Sequence, residues 1–202
     1  MEQKGVTVWF TGLSGSGKTA LALRLEEELR GRGLKVERLD GDIVRQSLTR
    51  DLGFSKEDRD KNIERVGFVA KLLTRNGVAV LCSFISPYRE VRAKVREEVG
   101  HFVEVYCFAP LEALIARDVK GLYQKAIAGQ IEGFTGISDP YEPPENPEVM
   151  INSGTETIEE SLALILTKLE ELGYVPPTLE EKPYSAAEEA EIESRLAALG
   201  YL

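Results

Sequence analysis

With 202 residues, 43% of them hydrophobic, the chain can bury one sizeable core and a short appendage, and its net charge of −9 argues against a nucleic-acid groove. Its apolar runs stop short of the roughly 18–20 residues that span a bilayer. Residues 1–5 also lack a signal-peptide layout, so a soluble, cytoplasmic protein with no membrane partner is expected.

Apolar runs alternate with helical patterns along the chain, which is the signature of a parallel α/β sheet flanked by helices. Val6–Thr11 reads as the first strand, and Lys18–Arg32 as an amphipathic helix with Leu21, Leu25 and Leu29 on one stripe. Val36–Asp40 is a short second strand. Ser55–Asn76 reads as a long helix with Ser55 and Asp58 spaced as a capping box and Gly77 as its stop. Val78–Ser83 is a buried strand, Pro87–Val99 a helix opened by proline, Val103–Phe108 a strand, and Leu111–Arg117 a helix. Residues 120–147 break this rhythm with four glycines and four prolines, as expected of a structureless lid. A strand near Glu148–Asn152 and a helix over Thr157–Leu172 close a domain of residues 1–174. Residues 175–202 read as a linker and helical extension, with Ser185 and Glu188 as a second capping signal. From Pro176 to Leu202 six glutamates face only Lys182 and Arg195.

Cys82 and Cys107 lie inside apolar strand patterns without C-x-x-C spacing, so reduced core thiols are expected. The one histidine, His101, follows Gly100 in a loop setting and is a poor candidate for a triad or a metal site.

Gly12-Leu-Ser-Gly-Ser-Gly-Lys18-Thr19 matches G-x-x-x-x-G-K-[ST] after a strand and before a helix. Its backbone N–H groups and the helix terminus suit phosphates, so Gly12, Ser14, Gly15, Ser16, Gly17, Lys18, Thr19 and Ala20 form the expected ATP cradle. Lys18 would reach the β/γ-phosphates and the Thr19 hydroxyl would bind Mg²⁺. The N-K-x-D of guanine-specific enzymes is missing, whereas a lid and acceptor candidates are present. Asp40-Gly-Asp42 ends the second strand on the edge where such sheets bind ligands, with Asp40 for the Mg²⁺ shell and Asp42 to take a hydroxyl proton. Arg45 lies about one turn further on. A kinase for another small acceptor, such as a nucleoside monophosphate or a sugar acid, remains open on these residues. So does a nucleotide-binding module without turnover.

Six motifs in order narrow this: TGLSGSGKT (11–19), LDGD-x-x-R (39–45), LGFS-x-x-DR-x-x-N (52–62), FISPYR (84–89), RDVKGLY (117–123) and GFTGISDPYE (133–142). Through them, residues from Val6 to about Leu172 resemble the adenylyl-sulfate (APS) kinase family. The resemblance implies transfer of a phosphoryl group from Mg-ATP to the ribose 3′-hydroxyl of adenylyl sulfate. It also implies an acceptor set of Asp42, Arg45, Phe54, Arg59, Asn62, Ile85, Ser86, Lys120, Gly133 and Phe134. In that set Arg45 and Arg59 would neutralise the phosphosulfate, Phe54 and Phe134 would stack on adenine, and Arg117 would cover the ATP base. Lys18, Asp40, Asp42, Ser86 and Lys120 are the implied catalytic group. A phosphoserine at Ser86 lacks an evident base beside it, so direct in-line transfer is expected. Ile43 stands where the family often has Asn, and Ala20 where it usually has a second Thr. The resemblance further implies a homodimer and a link to ATP sulfurylase; residues 176–202 lie outside it.

Overall fold

The computed structural model describes residues 3–177 together with Arg195 and Ala197, both helical. The rest of the expected C-terminal extension, including its Ser185 capping signal, lies outside the described residues. In chain order the elements are β1 (Val6–Thr11), α1 (Lys18–Gly31), β2 (Val36–Asp40), α2 (Gly41–Val44), α3 (Lys56–Thr74) and β3 (Ala79–Ser83). Then follow α4 (Arg89–Val99), β4 (Phe102–Phe108), α5 (Leu111–Arg117), α6 (Leu122–Ile127), β5 (Val149–Asn152) and α7 (Ile158–Glu171).

The five strands form one parallel sheet in the order β2-β3-β1-β4-β5, as the alternation of apolar runs and helices predicts. β1 is central, with Val8 opposite Leu81 of β3 and Val103 of β4. It is buried along its whole length because both of its faces carry helices. Val6, Val8 and Phe10 pack with Leu21, Leu25 and Leu29 of α1 and with Ile165 and Leu169 of α7. Trp9, on the opposite face, packs with Val66 and Ala70 of α3 and Val91 and Val95 of α4. Full burial of each such side chain contributes roughly 1.5–3 kcal/mol. The α3–α4 crossing is tight at Gly67, where an added Cβ would lie 2.6 Å from Val95 Cγ2. Both thiols are buried in these layers, and burial pushes the Cys107 thiol up to about 12.

Three local expectations need correction. The segment over 120–147 is not structureless, since it contains α6. Asp118 accepts from the backbone N–H groups of Tyr123 and Gln124 (both 3.0 Å), and Tyr123 buries itself against Phe134. Six residues are too few to show helical periodicity. Ser55 does cap α3 by accepting from Asp58 N (3.2 Å), but the Asp58 carboxylate takes the Gly53 N–H (3.0 Å) and leaves the box half formed. The complete capping box belongs to α7, through Thr157 and Glu160. Finally, Pro87 and Tyr88 precede α4 rather than opening it, and Tyr88 is extended.

A parallel sheet brings all strand C-termini to one edge. Thr11, Asp40 and Ser83 therefore deliver the P-loop, the Asp40–Asp42 turn and the loop 84–88 to one crevice.

Candidate active site

The phosphate-binding half is assembled locally. Gly12 adopts a φ of 143°, and a Cβ there would stand 2.2 Å from the Cys107 carbonyl oxygen, so only glycine lets the chain leave β1 beside β4. The loop enters α1 at Gly17 without a side-chain cap, leaving first-turn N–H groups for an anion. Lys18 is buried, and its Nζ donates to the carbonyls of Gly12 (2.9 Å) and Leu13 (2.7 Å). That burial pushes the ammonium pKa down to about 8; Lys120 pushes the same way, against Cys107, Asp40 and Asp42.

Thr19 Oγ1 donates to Asp40 Oδ2 at 2.8 Å, while Asp40 Oδ1 accepts from Asp42 N at 3.0 Å and so caps α2. The two expected metal ligands are thus adjacent oxygen donors. Among the described residues no cluster of three or more His, Cys, Asp or Glu side chains forms a protein cage for a metal. One hydroxyl and one carboxylate suit Mg²⁺, which keeps waters and takes substrate phosphates as its remaining ligands.

The acceptor half is assembled from distant segments. Arg45 lies over the Phe54 ring (4.3 Å) and donates to the carbonyls of Leu52 (3.3 Å) and Gly53 (3.1 Å). Burial lowers its pKa, and the neighbouring Arg59 acts in the same direction. Arg59 and Asn62 do share a face of α3, as their spacing predicts, but Arg59 also serves a second purpose. It donates to Phe54 O (2.8 Å), Thr135 Oγ1 (2.5 Å) and Gly133 O (2.5 Å), which makes it a clamp on the lid. Asn62 is buried, and its Oδ1 has no hydrogen-bond partner. A buried orphan acceptor costs about 1–3 kcal/mol, so a donor from a ligand would be favoured there. Ser83 Oγ, lining the same cavity, is likewise unpartnered.

The lid closes this half. Lys120 Nζ donates to Asp42 Oδ2 at 2.6 Å, and Tyr123 OH donates to the Ser14 carbonyl at 2.8 Å, tying α6 to the P-loop. Tyr88 OH donates to Asp139 (3.0 Å), and Phe134 meets Tyr123 edge to face at 5.2 Å. Phe54 remains 65% exposed, which is unusual for a phenylalanine with only a structural purpose. Phe54, Asn62, Lys120, Gly133 and Phe134 line one cavity of about 660 Å³ with Lys18 and Thr19. That volume suits small-molecule ligands.

Four expected residues behave differently from their neighbours. Ser86 reaches the cavity, but its hydroxyl accepts from Trp9 Nε1 (3.0 Å) and donates to Thr11 Oγ1 (3.1 Å) in the buried layer. Arg117 does not line the cavity; it donates to the Ser153 carbonyl (2.9 Å), and Ser153 borders Gly17. Gly12 and Ser16 shape the cradle from behind rather than lining it. Sequence reasoning missed Tyr123, Thr135, Asp139 and Arg92, whose signals lie in long-range hydrogen bonds; Tyr123, Thr135 and Asp139 do fall inside the quoted motifs.

Comparison with known proteins bears on this architecture. The family model described as adenylylsulphate kinase matches residues 4–152. An adenylyl-sulfate kinase of Halothermothrix orenii is 63% identical over 173 residues, covering 86% of this chain and 94% of that protein. One from Picosynechococcus is 62% identical over 177 residues, covering 88% and 100%. Among solved structures, the Mycobacterium tuberculosis APS kinase in complex with AMPPNP and APS superposes with a TM-score of 0.79 at 45% identity, covering 83% of this chain and 99% of that one. The family-model match over most of the chain and these identities show that the chain belongs to the adenylyl-sulfate kinase family.

Proposed function

We propose that the chain transfers the γ-phosphoryl group of ATP to the ribose 3′-hydroxyl of adenylyl sulfate, giving ADP and 3′-phosphoadenylyl sulfate. The observation that carries this reading is the single cavity holding both the Lys18–Thr19 cradle and the Phe54, Asn62 and Phe134 acceptor wall. Lys18 and the α1 terminus hold the phosphates, and Thr19 with Asp40 would hold Mg²⁺. The bound ion would neutralise charge on the phosphoryl oxygens. Asp42 accepts the proton of the attacking hydroxyl, and Lys120, 2.6 Å from it, adds positive charge near the transfer. Phe54 and Phe134 hold the acceptor adenine between them, with Asn62 on its polar edge. Arg45 and Arg59 border the phosphosulfate, while the Arg117 side of the cradle covers the ATP base. Lid closure excludes water, which limits wasteful hydrolysis.

The testing measurement is ADP release with Mg-ATP, comparing adenylyl sulfate, AMP, gluconate and no acceptor, with the product identified by mass. Release dependent on adenylyl sulfate supports the reading, and release with another acceptor or none overturns it. We read the protein as a homodimer, testable by light scattering. We place it in the cytoplasm, fed by an ATP sulfurylase; among the described residues no helix is long and apolar enough to cross a membrane.

A further inference from the structure

Behind the acceptor loop lies a charged side chain that none of the motif roles explains. Arg92 of α4 has only 3% of its side chain exposed. Its Nε donates to Glu104 Oε1 (2.9 Å), one terminal nitrogen to the Ser86 carbonyl (2.5 Å) and the other to the Glu142 carbonyl (2.7 Å). Glu104 alone balances the charge, so the two carbonyl bonds serve another purpose. They join the loop 84–88, which lines the acceptor side of the cavity, to the point where the lid returns to the body. Two further bonds close this junction, Glu142 N to Pro87 O (2.8 Å) and Arg89 N to Glu142 Oε2 (2.7 Å). The loop needs such support, because Ser86 adopts a φ of 42°, a region that costs a non-glycine residue about 1–3 kcal/mol. A planar guanidinium with donors in three directions can satisfy a carboxylate and two carbonyls at once, and a lysine cannot.

We propose that Arg92 is a positioning residue for the acceptor, holding the Ser86 and Glu142 carbonyls and so fixing the acceptor loop against the lid anchor. The inference rests on adenylyl sulfate being the acceptor. Arg96 supplies an internal control. It pairs with the same Glu104 (3.2 Å) and with Glu148 (2.6 Å), yet among the described residues no bond joins it to loop 84–88 or to the lid. Arg96 is the more exposed of the two (33% against 3%), so a purely structural role predicts that any rise in acceptor KM simply tracks the fall in thermal midpoint in each variant.

The experiment uses full-length Arg92→Met, Arg92→Lys and Arg96→Met. It reads the KM for adenylyl sulfate, the Kd for Mg-AMPPNP, the thermal midpoint and backbone hydrogen exchange over residues 84–88 and 140–143. Arg92→Met is expected to raise the acceptor KM about tenfold or more, with the AMPPNP Kd within about twofold and faster exchange in both segments. Arg92→Lys, which keeps the charge facing Glu104, is expected to fall between wild type and Arg92→Met. Arg96→Met is expected to lower the thermal midpoint while leaving the acceptor KM within about twofold. Wild-type acceptor KM in both Arg92 variants, or an equal rise in Arg96→Met, overturns the inference. Should Arg92→Met fail to fold, the Lys variant is judged by the same comparison. Wild-type protein that makes no ADP with adenylyl sulfate overturns the functional reading and Arg92's acceptor role with it. Turnover with unmoved Arg92 variants overturns Arg92's role alone.

Discussion

The two halves of the cavity are built in different ways. The cradle is eight consecutive residues whose contacts are mostly local: Lys18 bonds to Gly12 and Leu13, and the side-chain bonds to other elements are Thr19 to Asp40 and Tyr123 of α6 to the Ser14 carbonyl. The acceptor half depends on bonds between segments far apart in the chain, among them Arg59 to Gly133, Lys120 to Asp42 and Tyr88 to Asp139. The nucleotide half is therefore organised mainly by the strand–loop–helix unit, whereas the acceptor half is completed by the lid segment through long-range bonds. Substitutions should separate the halves kinetically.

The largest effect is expected at Lys18. Lys18→Ala removes the positive charge at the leaving phosphates, and kcat should fall at least about 10²–10³-fold with any acceptor. Retained turnover in that variant would contradict the cradle's role. Next comes Arg59→Ala, which frees the Gly133 carbonyl and Thr135 hydroxyl and so loosens the lid over the acceptor. The acceptor KM should rise about tenfold or more while the ATP KM moves little. Equal rises in both would show that the halves are not separable.

The contrast between the halves also explains what could be read before the structure. The strands and the P-loop declare themselves through apolar runs and a contiguous motif, and the sheet places them as expected. The acceptor residues were legible as a set because the resemblance names them, but their bonding partners were not. Arg59 looks like a free phosphosulfate ligand in sequence because its lid partners lie more than seventy positions away. Arg92 looks like one more charge on an amphipathic helix, and only the fold reveals that it is buried. The helix α6 escaped for a related reason: its stability comes from the Asp118 cap and from Tyr123 burying against Phe134, not from a periodic stripe.

A third test uses pH to isolate the cradle. In the free protein the Lys18 ammonium has a pKa near 8, below its ordinary 10.5, mainly because it is buried. Affinity for Mg-AMPPNP should therefore fall above about pH 8, by up to tenfold per pH unit. Stability has the opposite sign. Between about 8 and 10.5 the unfolded chain holds this proton and the folded chain does not, so Lys18's contribution to stability rises with pH across that window. Isothermal titration across pH checks the first effect. Lys18→Arg, which stays protonated, should remove that inflection, and persistence of the inflection would assign it to another group.

Smaller still is the catalytic effect expected at Ser86. Its hydroxyl satisfies Trp9 Nε1 and Thr11 in the buried layer, so Ser86→Ala should orphan the indole N–H. The cost is about 1–3 kcal/mol of stability, read as a lower thermal midpoint, with kcat within about an order of magnitude of wild type. Complete loss of transfer by a folded Ser86→Ala protein, together with a trapped phosphoserine in wild type, would replace direct transfer with a covalent route.

The smallest effect is expected outside both halves, at Thr157, where the complete capping box starts α7. Thr157→Ala removes the side-chain acceptor of the Glu160 N–H and the hydroxyl that donates to Glu160 Oε2. Loss of an N-cap threonine costs about 1 kcal/mol, or about 2–4 °C in the thermal midpoint for a domain of this size. Because α7 packs on the α1 face of the sheet, any distortion that spreads should reach the cradle before the acceptor pocket. Both KM values should therefore stay at wild type while the midpoint falls. A rise in the ATP KM alone would show that α1 transmits strain from α7 to the P-loop, and that the cradle is less self-contained than its local hydrogen bonds imply.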